Sequence, residues 1–280
     1  MSPTSSPARR PPRTAARDWL VPVFAAAGTL MILFILLPLA ATVASTSPQR
    51  VFEALLDSEV LTSLGLTFYA GAAATALALV TGVPLAYLLA RSDFVGKEWI
   101  EGIVRLPVVV PHTAAGIALL LVFGRQGVLG KAFGAVGVGF TDALPGIVVG
   151  MLFVSLPFLV NASREAFALV DPDLEMVAAT EGATRWQAFY HVTLPQAGRG
   201  ILSGALLMWG RAISEFGAIV ILAYHPRIVP ILVYERFVGF GLSGAQPVAV
   251  LLLIASLVVF VLLQVLLRSE HGRAPRQRAG

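Results

Sequence analysis

The chain has 280 residues, of which 57% are hydrophobic and only 13% are charged, and its mean hydropathy is +0.81. Soluble domains carry about 25% charged residues, so this composition predicts an integral membrane protein. The basic residues are scattered and the formal net charge is only +4, which argues against nucleic acid as a partner. The absence of cysteine excludes disulfides, thiolate nucleophiles and cysteine-bound metals.

Six apolar runs approach the length of about 20 residues that a helix needs to cross a bilayer. They do not alternate apolar and polar residues, so helices are favoured over membrane strands. The runs are residues 21–44, 61–90, 106–123, 144–162, 201–223 and 247–267. The first follows a basic leader but exceeds the apolar stretch of a signal peptide, about 7–15 residues, and therefore predicts an uncleaved span. The expected fold is an all-α, polytopic membrane protein with about six transmembrane helices.

Lysine and arginine residues are divided unevenly between the two sides that six spans would define. Fourteen lie in the tails and the even-numbered loops, whereas five lie in the other loops. Cytoplasmic loops carry the excess of basic residues, so we expect a multi-pass protein of the cell membrane with both termini in the cytoplasm. Residues 1–20 and 268–280 would then be basic cytoplasmic tails in contact with anionic lipid, and residues 21–267 the transmembrane domain.

The longest polar interruption, residues 163–200, predicts two short helices between the fourth and fifth spans. Asp171 and Pro172 are typical of a helix start, and Gly182 is typical of a left-handed helix end. Thr184 begins a capping box that opens the second helix.

The second of these helices carries an aromatic ridge and is predicted to end at a proline. Trp186, Phe189 and Tyr190 fall on one face. Leu194 and Pro195 follow, and proline cannot continue a helical hydrogen-bond ladder. A unit this small has no core of its own. Its ridge therefore either packs against the ends of the protein's own helices or docks into a cytoplasmic partner.

The same segment resembles the Glu-Ala-Ala-x3-Gly-x9-Ile-x-Leu-Pro loop of ABC importer permeases. The residues that carry the likeness, and that it implicates in ATPase coupling, are Glu175, Ala178, Ala179, Gly182, Val192, Leu194 and Pro195. Met176 occupies the family's glutamate position, and Glu175 stands one residue earlier. Either Glu175 or the wider docking surface would therefore make the family's contact with the ATPase.

Three further stretches are similar to permeases for tetrahedral oxyanions, most closely the molybdate/tungstate group and next the sulfate/thiosulfate group. They are Leu106-Pro-Val-Val-Val-Pro-His112, Ser155-Leu-Pro-Phe158 and Arg211-Ala-Ile-Ser-Glu215-Phe-Gly217. The resemblance covers about residues 61–267. It implies the type I ABC importer permease architecture and import of molybdate or tungstate, with sulfate or thiosulfate as the alternative substrate.

The resemblance also implies a set of partners. These are a second copy of the permease in a homodimer, two cytoplasmic ABC ATPase subunits that would bind ATP and magnesium, and an extracytoplasmic oxyanion-binding protein. Lys131 follows a glycine as in a phosphate-binding loop, but Arg125 replaces the first glycine and Ala132 stands where Ser or Thr would hold magnesium. We therefore expect a transport subunit with no catalytic residue and no cofactor of its own. The alternative, a secondary transporter, would need neither an ATPase nor a docking loop.

Arg211 and Glu215 are four residues apart in the fifth apolar run, with Ser214 between them. A lone charge in a bilayer is costly, so the two are expected to pair. The pair is either part of a translocation pathway or gate, or a structural ion pair between helices. A net-neutral conduit would release a divalent oxyanion, whereas a strong cationic site would hold it.

Pro107, Pro111, His112 and Thr113 mark the predicted cytoplasmic start of the third span. Two prolines break the backbone ladder, which is tolerated where protein or a water-filled cavity satisfies the freed groups. His112 and Thr113 could line an exit for the oxyanion, or His112 could bond a carbonyl of a neighbouring helix. The four histidines are scattered without the spacing of metal ligands, so no metal site is expected.

Overall fold

The computed structural model describes residues 19–269, and the predicted tails, 1–20 and 268–280, lie almost wholly outside that part. Every regular element within residues 19–269 is a helix, which confirms the all-α prediction. The α-helices are α1 Leu20–Ala44, α2 Pro48–Leu56, α3 Ser58–Arg91, α4 Lys97–Val109, α5 His112–Phe123, α6 Val128–Gly134, α7 Leu144–Ala168, α8 Pro172–Thr180, α9 Arg185–Ala188, α10 Leu194–Ile213, α11 Ile219–Leu222, α12 Val229–Phe240 and α13 Leu242–Ser269. A π-helical turn, Phe189–Thr193, joins α9 to α10.

The first helix forms a unit by itself. The chain divides into compact units after Ser47, and the second unit begins at Pro48. α1 is apolar along its length, and none of its 25 residues is buried. A helix that is apolar on all sides is typical of a membrane span.

Several helices have the length and composition of membrane spans. Among the described residues, four qualify singly: α1, α3, α7 and α13 as far as Val265. They correspond to the first, second, fourth and sixth predicted runs, which are confirmed as long apolar helices. The pair α4 and α5 raises the number to five if it makes one span. The chain is therefore a multi-pass membrane protein.

The third predicted run is a bent pair of helices rather than one span helix. Residues 106–109 end α4, α5 begins at His112, and the two helices differ in direction by 115°. Val110 between them is extended, with φ −68° and ψ 130°. The cause is Pro111, because a proline ring disfavours helical backbone at the residue before it.

The fifth predicted run, 201–223, is also interrupted. α10 ends at Ile213, and only the single turn α11 follows before residue 223. Ser214, Glu215 and Gly217 therefore lie in a break between helices. The prediction of one continuous helix over this run is wrong. The break is packed against another element: a Cβ added to Gly217 would lie 2.7 Å from His112 Cβ. Irregular backbone at membrane depth is tolerated where protein covers it.

Leu194 and Pro195 begin a helix, and the prediction that they end one is wrong. The π-helical turn leads directly into α10, which places Pro195 in the first turn of that helix. Proline is tolerated in the first turn of a helix, where its fixed φ suits the helical backbone. α9 and α10 are consequently continuous through the π-helical turn.

α3, α7 and α10 pack together at the centre of the second unit. Gly200 and Gly204 on α10 face Ala166 and Ala162 on α7, and a Cβ on Gly204 would lie 2.7 Å from that of Ala162. Small residues spaced four apart let membrane helices approach closely. This close packing defines where α10 lies against α7, and with it the position of Arg211 in its last turn.

Candidate functional site

Three of the predicted pathway residues meet where α5 begins and α10 ends. His112 Nδ1 lies 2.7 Å from Glu215 Oε2, and Arg211 Nη2 donates to the same oxygen at 2.9 Å. Arg211 Nη2 also lies 2.8 Å from His112 Nδ1. The predicted pairing of Arg211 with Glu215 is confirmed, and His112 is a third member that joins it from another helix.

Glu215 is the buried centre of this cluster, with 1% of its surface exposed. Its Oε1 accepts a hydrogen bond from the Ala218 backbone N–H at 2.8 Å. With the proton of His112 on Nδ1, Oε2 accepts from both His112 and Arg211, and the carboxylate then has three donors. A buried charge is stable only when it is paired and hydrogen-bonded in this way.

Two helix breaks create the space for the cluster. Pro111 starts α5 with a turn away from α4, and Glu215 lies in the break between α10 and α11. The breaks approach closely because glycine faces the other element on each side. A Cβ on Gly116 would lie 2.7 Å from the Ala218 carbonyl oxygen, as the one on Gly217 would from His112 Cβ. The residues after each break are therefore held next to one another.

The carboxylate of the cluster is buried, whereas its guanidinium and imidazole groups are partly exposed. The side chains of Arg211 and His112 are 24% and 36% exposed. Thr113, next to His112 in the chain, and Ser214, which accepts a hydrogen bond from Arg211 Nη1 at 3.4 Å, are exposed. Guanidinium, imidazole and hydroxyl groups all donate hydrogen bonds to oxyanions. Pro107 is buried within α4, before the bend.

The segment between α7 and α10 has the predicted caps. The Asp171 side chain accepts from the Asp173 backbone N–H at the start of α8. Gly182 ends that helix with φ +88°, a value that favours glycine. Thr184 and Gln187 form both hydrogen bonds of a capping box at the start of α9. The helix–glycine–helix prediction is confirmed up to the π-helical turn.

Glu175 of α8 is engaged by residues of its own chain. Thr193 Oγ1 donates to its Oε1 at 2.7 Å, and Tyr87 OH donates to Oε2 at 3.4 Å. Arg91 Nε lies 3.2 Å from Oε1, close enough for an ion pair but not aligned as a hydrogen bond. Met176 occupies the position of the glutamate in the ABC importer loop that this segment resembles, and 59% of its surface is exposed.

The outer surface of this segment exposes large apolar side chains among polar ones. From α8 to the π-helical turn, the exposed large apolar side chains are those of Leu174, Met176, Val177, Trp186 and Tyr190. A groove of about 350 Å³ lies beside them and is lined in part by Ala178, Gly182 and Val192. Of the other residues predicted for coupling, Ala179 and Pro195 are exposed and Leu194 is half-buried. The aromatic ridge is divided: Trp186 and Tyr190 face outwards, and Phe189 packs on Tyr87 with ring centroids 4.8 Å apart.

An ion-pair network at the N-terminal end of α3 was not predicted. Arg236 Nη2 donates to Asp57 Oδ2 at 2.5 Å and lies 3.3 Å from Glu59 Oε2. Arg227 pairs with both Glu59 and Glu235, with its Nε 2.9 Å from Glu235 Oε2. The hydrogen bond from Arg236 lowers the pKa of Asp57 below its ordinary value of 3.8. The partners are far apart in the chain, and nothing in their local sequence distinguishes them from ordinary loop charges.

Residues 82–270 match the family model described as "Binding-protein-dependent transport system inner membrane component". The molybdate/tungstate transport system permease protein WtpB of Thermococcus kodakarensis is 40% identical over 258 residues, which cover 91% of this chain and 99% of that protein. The sulfate transport system permease protein CysT of Escherichia coli is more distant, 29% identical over 248 residues that cover 86% and 89% of the two chains.

The fold is similar to that of solved importers. A chain of a bacterial ABC transporter involved in the import of the acidic polysaccharide alginate superposes with a TM-score of 0.69 at 18% identity, covering 90% of this chain and 96% of that one. At that identity the likeness concerns the fold, which is that of a type I ABC importer permease. Together with the family match over most of its length, this shows that the chain belongs to the binding-protein-dependent transport system inner membrane components and is a permease subunit of an ABC transporter.

Proposed function

We propose that this chain is the membrane subunit of an importer that moves molybdate or tungstate into the cytoplasm, driven by ATP hydrolysis on a separate subunit. The substrate assignment rests on sequence identity to relatives whose names state a substrate. Those named as molybdate/tungstate permeases are 38 to 40% identical to this chain, whereas those named as sulfate permeases are 28 to 29% identical.

The cluster of His112, Arg211 and Glu215 belongs to the translocation pathway or its gate. Its exposed donors suit a tetrahedral oxyanion, with Thr113 and Ser214 adding hydroxyl groups beside it. Glu215 balances the charge of Arg211, so the passing anion meets donors without a large net positive charge. Such a pathway binds the anion weakly and leaves affinity to a binding protein.

The transporter contains two copies of this chain. The donors of the cluster are partly exposed on one chain, and a pathway needs a wall on each side of the substrate. A second copy related by a two-fold axis would supply the facing wall with the same chemistry.

The segment from α8 to the π-helical turn docks on a cytoplasmic ATPase, which holds ATP and magnesium. Its exposed apolar side chains and the groove beside Gly182 are the kind of surface that a protein partner covers. In this proposal the segment lies in the cytoplasm together with both termini, and the bias of basic residues supports that orientation. The opposite side then faces the extracytoplasmic oxyanion-binding protein.

Uptake into proteoliposomes that hold the complete transporter, with its ATPase and binding protein, tests the function. We expect ATP-dependent accumulation of radiolabelled molybdate and tungstate, with little accumulation of sulfate. Preferential accumulation of sulfate would overturn the substrate assignment. Oxyanion uptake that is driven by an ion gradient and unaffected by ATP would overturn the assignment to an ATP-driven importer.

A further inference from the structure

α8 is attached to the rest of the protein in an unusual way. None of its nine residues, Pro172–Thr180, is buried, so apolar packing contributes little to holding it in place. Its exposed apolar residues point away from the chain. The carboxylate of Glu175 points the other way, towards α3 and the start of α10, and its side chain is 24% exposed.

Arg91, the last residue of α3, holds the chain at two points around the start of α8. Its Nη2 donates to the Val170 carbonyl oxygen at 2.7 Å, immediately before the cap residue of α8. Its Nε pairs with Glu175 inside α8 at 3.2 Å. A cation at a helix C-terminus also interacts favourably with the helix dipole, which stabilises Arg91 in this position.

Thr193 and Tyr87 add two hydrogen bonds to this attachment, one from the junction with α10 and one from α3. Thr193, at the junction with α10, is fully buried and donates to Glu175. Tyr87 is one turn before Arg91 on α3, and its ring packs edge-on against Phe167 of α7 with centroids 5.3 Å apart. The aromatic rings limit access of water to the ion pair, which strengthens its electrostatic attraction.

We infer that Glu175 is a positioning residue that links α8 to α3, so that displacement of α8 by the ATPase is passed to α3 through Arg91. The inference rests on the proposed function, because it assumes that the ATPase displaces α8 and assigns α3 as the helix that receives the displacement. It differs from an ATPase contact by Glu175: the outward contact falls to Met176 and its apolar neighbours, and Glu175 acts inside the permease.

The test is the number of oxyanions imported per ATP hydrolysed by the complete transporter in proteoliposomes. For Glu175→Gln and for Arg91→Gln we expect ATP hydrolysis to persist while this ratio falls at least about fivefold. The charge exchange Arg91→Glu with Glu175→Arg should recover part of the ratio. Asp173→Asn is the matched control, because it removes an exposed carboxylate from the first turn of the same helix.

Three outcomes separate the possibilities. If Glu175→Gln keeps the wild-type ratio, or if the charge exchange is no better than either single variant, the link is overturned. Thr193→Val is a second variant, which removes a hydrogen bond to Glu175 and keeps all charges. If Arg91→Gln fails to fold, a wild-type ratio of oxyanions per ATP in both Thr193→Val and Glu175→Gln would still overturn the link. Absence of oxyanion import by the wild-type transporter would instead overturn the proposed function.

Discussion

Glu215 and Glu175 are both held by an arginine and by a further donor, but they secure different kinds of structure. Glu215 is 1% exposed and lies in the break between α10 and α11, where it also accepts a hydrogen bond from the Ala218 backbone N–H. Glu175 is 24% exposed and joins a solvated helix to a spanning one. A pair of arginine and glutamate therefore stabilises irregular backbone at Glu215, whereas at Glu175 it connects two helices. We expect loss of a partner to reduce stability mainly at Glu215 and coupling mainly at Glu175.

The largest expected effect follows from removing the partner of Glu215. Arg211→Ala leaves the buried carboxylate of Glu215 without its arginine and should lower the free energy of unfolding by about 3 kcal/mol. The double variant Arg211→Ala with Glu215→Ala should lose less, since no buried charge remains. Denaturant unfolding in detergent measures both, with Arg199→Ala as an exposed control on the same helix. Equal losses in the single and double variants would contradict the buried-pair interpretation.

A smaller effect is expected at the glycine that lets the two breaks meet. Gly217→Ala places a methyl group 2.7 Å from His112 Cβ and should cost about 2 kcal/mol, because the neighbouring helix must move. Gly210→Ala on α10 is the control, since no atom lies within 4 Å of its added Cβ. Thermal unfolding of the two variants compares them directly. A control that loses as much as Gly217→Ala would show that close approach is not the cause.

Gly182 follows α8, the helix that carries Glu175. Gly182→Ala should lower stability modestly and should clearly lower the coupling of ATP hydrolysis to import. The added Cβ meets no atom, so the cost of about 1 kcal/mol comes from the backbone at φ +88°. If this segment docks on the ATPase as proposed, strain at this turn changes the relative orientation of α8 and α9 at that contact. We expect fewer oxyanions imported per ATP, with the permease still in the membrane. Gly198→Ala, with nothing near its added Cβ and a helical backbone, should keep the wild-type ratio.

The smallest effect is expected at the ion-pair network before α3. Arg236 lowers the pKa of Asp57 in the folded protein, so this pair adds stability above the ordinary Asp value of 3.8. That stability is lost as the pH falls through the lowered value of the folded state. Asp57→Asn should therefore flatten the acid side of a plot of melting temperature against pH. If the acid side is unchanged in this variant, the pair does not contribute.

The sequence predicts local features of this protein well, because caps and breaks depend on neighbouring residues. Asp171, Gly182 and the Thr184 capping box act within one turn of the chain, and their roles follow from residue type alone. The pairing of Arg211 with Glu215 follows in the same way from their spacing and the cost of an unpaired charge.

Features that depend on distant partners could not be predicted in this way. His112 joins Glu215 across 103 positions, and Arg236 meets Asp57 across 179. Periodicity describes one helix at a time and does not indicate which helices become neighbours. Pro195 shows a further limit, because a proline reads as a helix end or a helix start according to the backbone before it. The π-helical turn settled that choice and has no signature in the residues that form it.

The continuity of α9 and α10 through that turn has a mechanical consequence. α10 is 20 residues long, or about 30 Å at 1.5 Å per residue. Its first turn adjoins the docking segment and its last turn carries Arg211. One end of α10 therefore lies beside Glu175 and the other beside Glu215. A tilt of about 6° about the docking end would displace the other end by about 3 Å, as much as a hydrogen-bond length. If the ATPase tilts α10 as the proposed coupling requires, a rotation of that size would be sufficient to break the contact between Glu215 and His112.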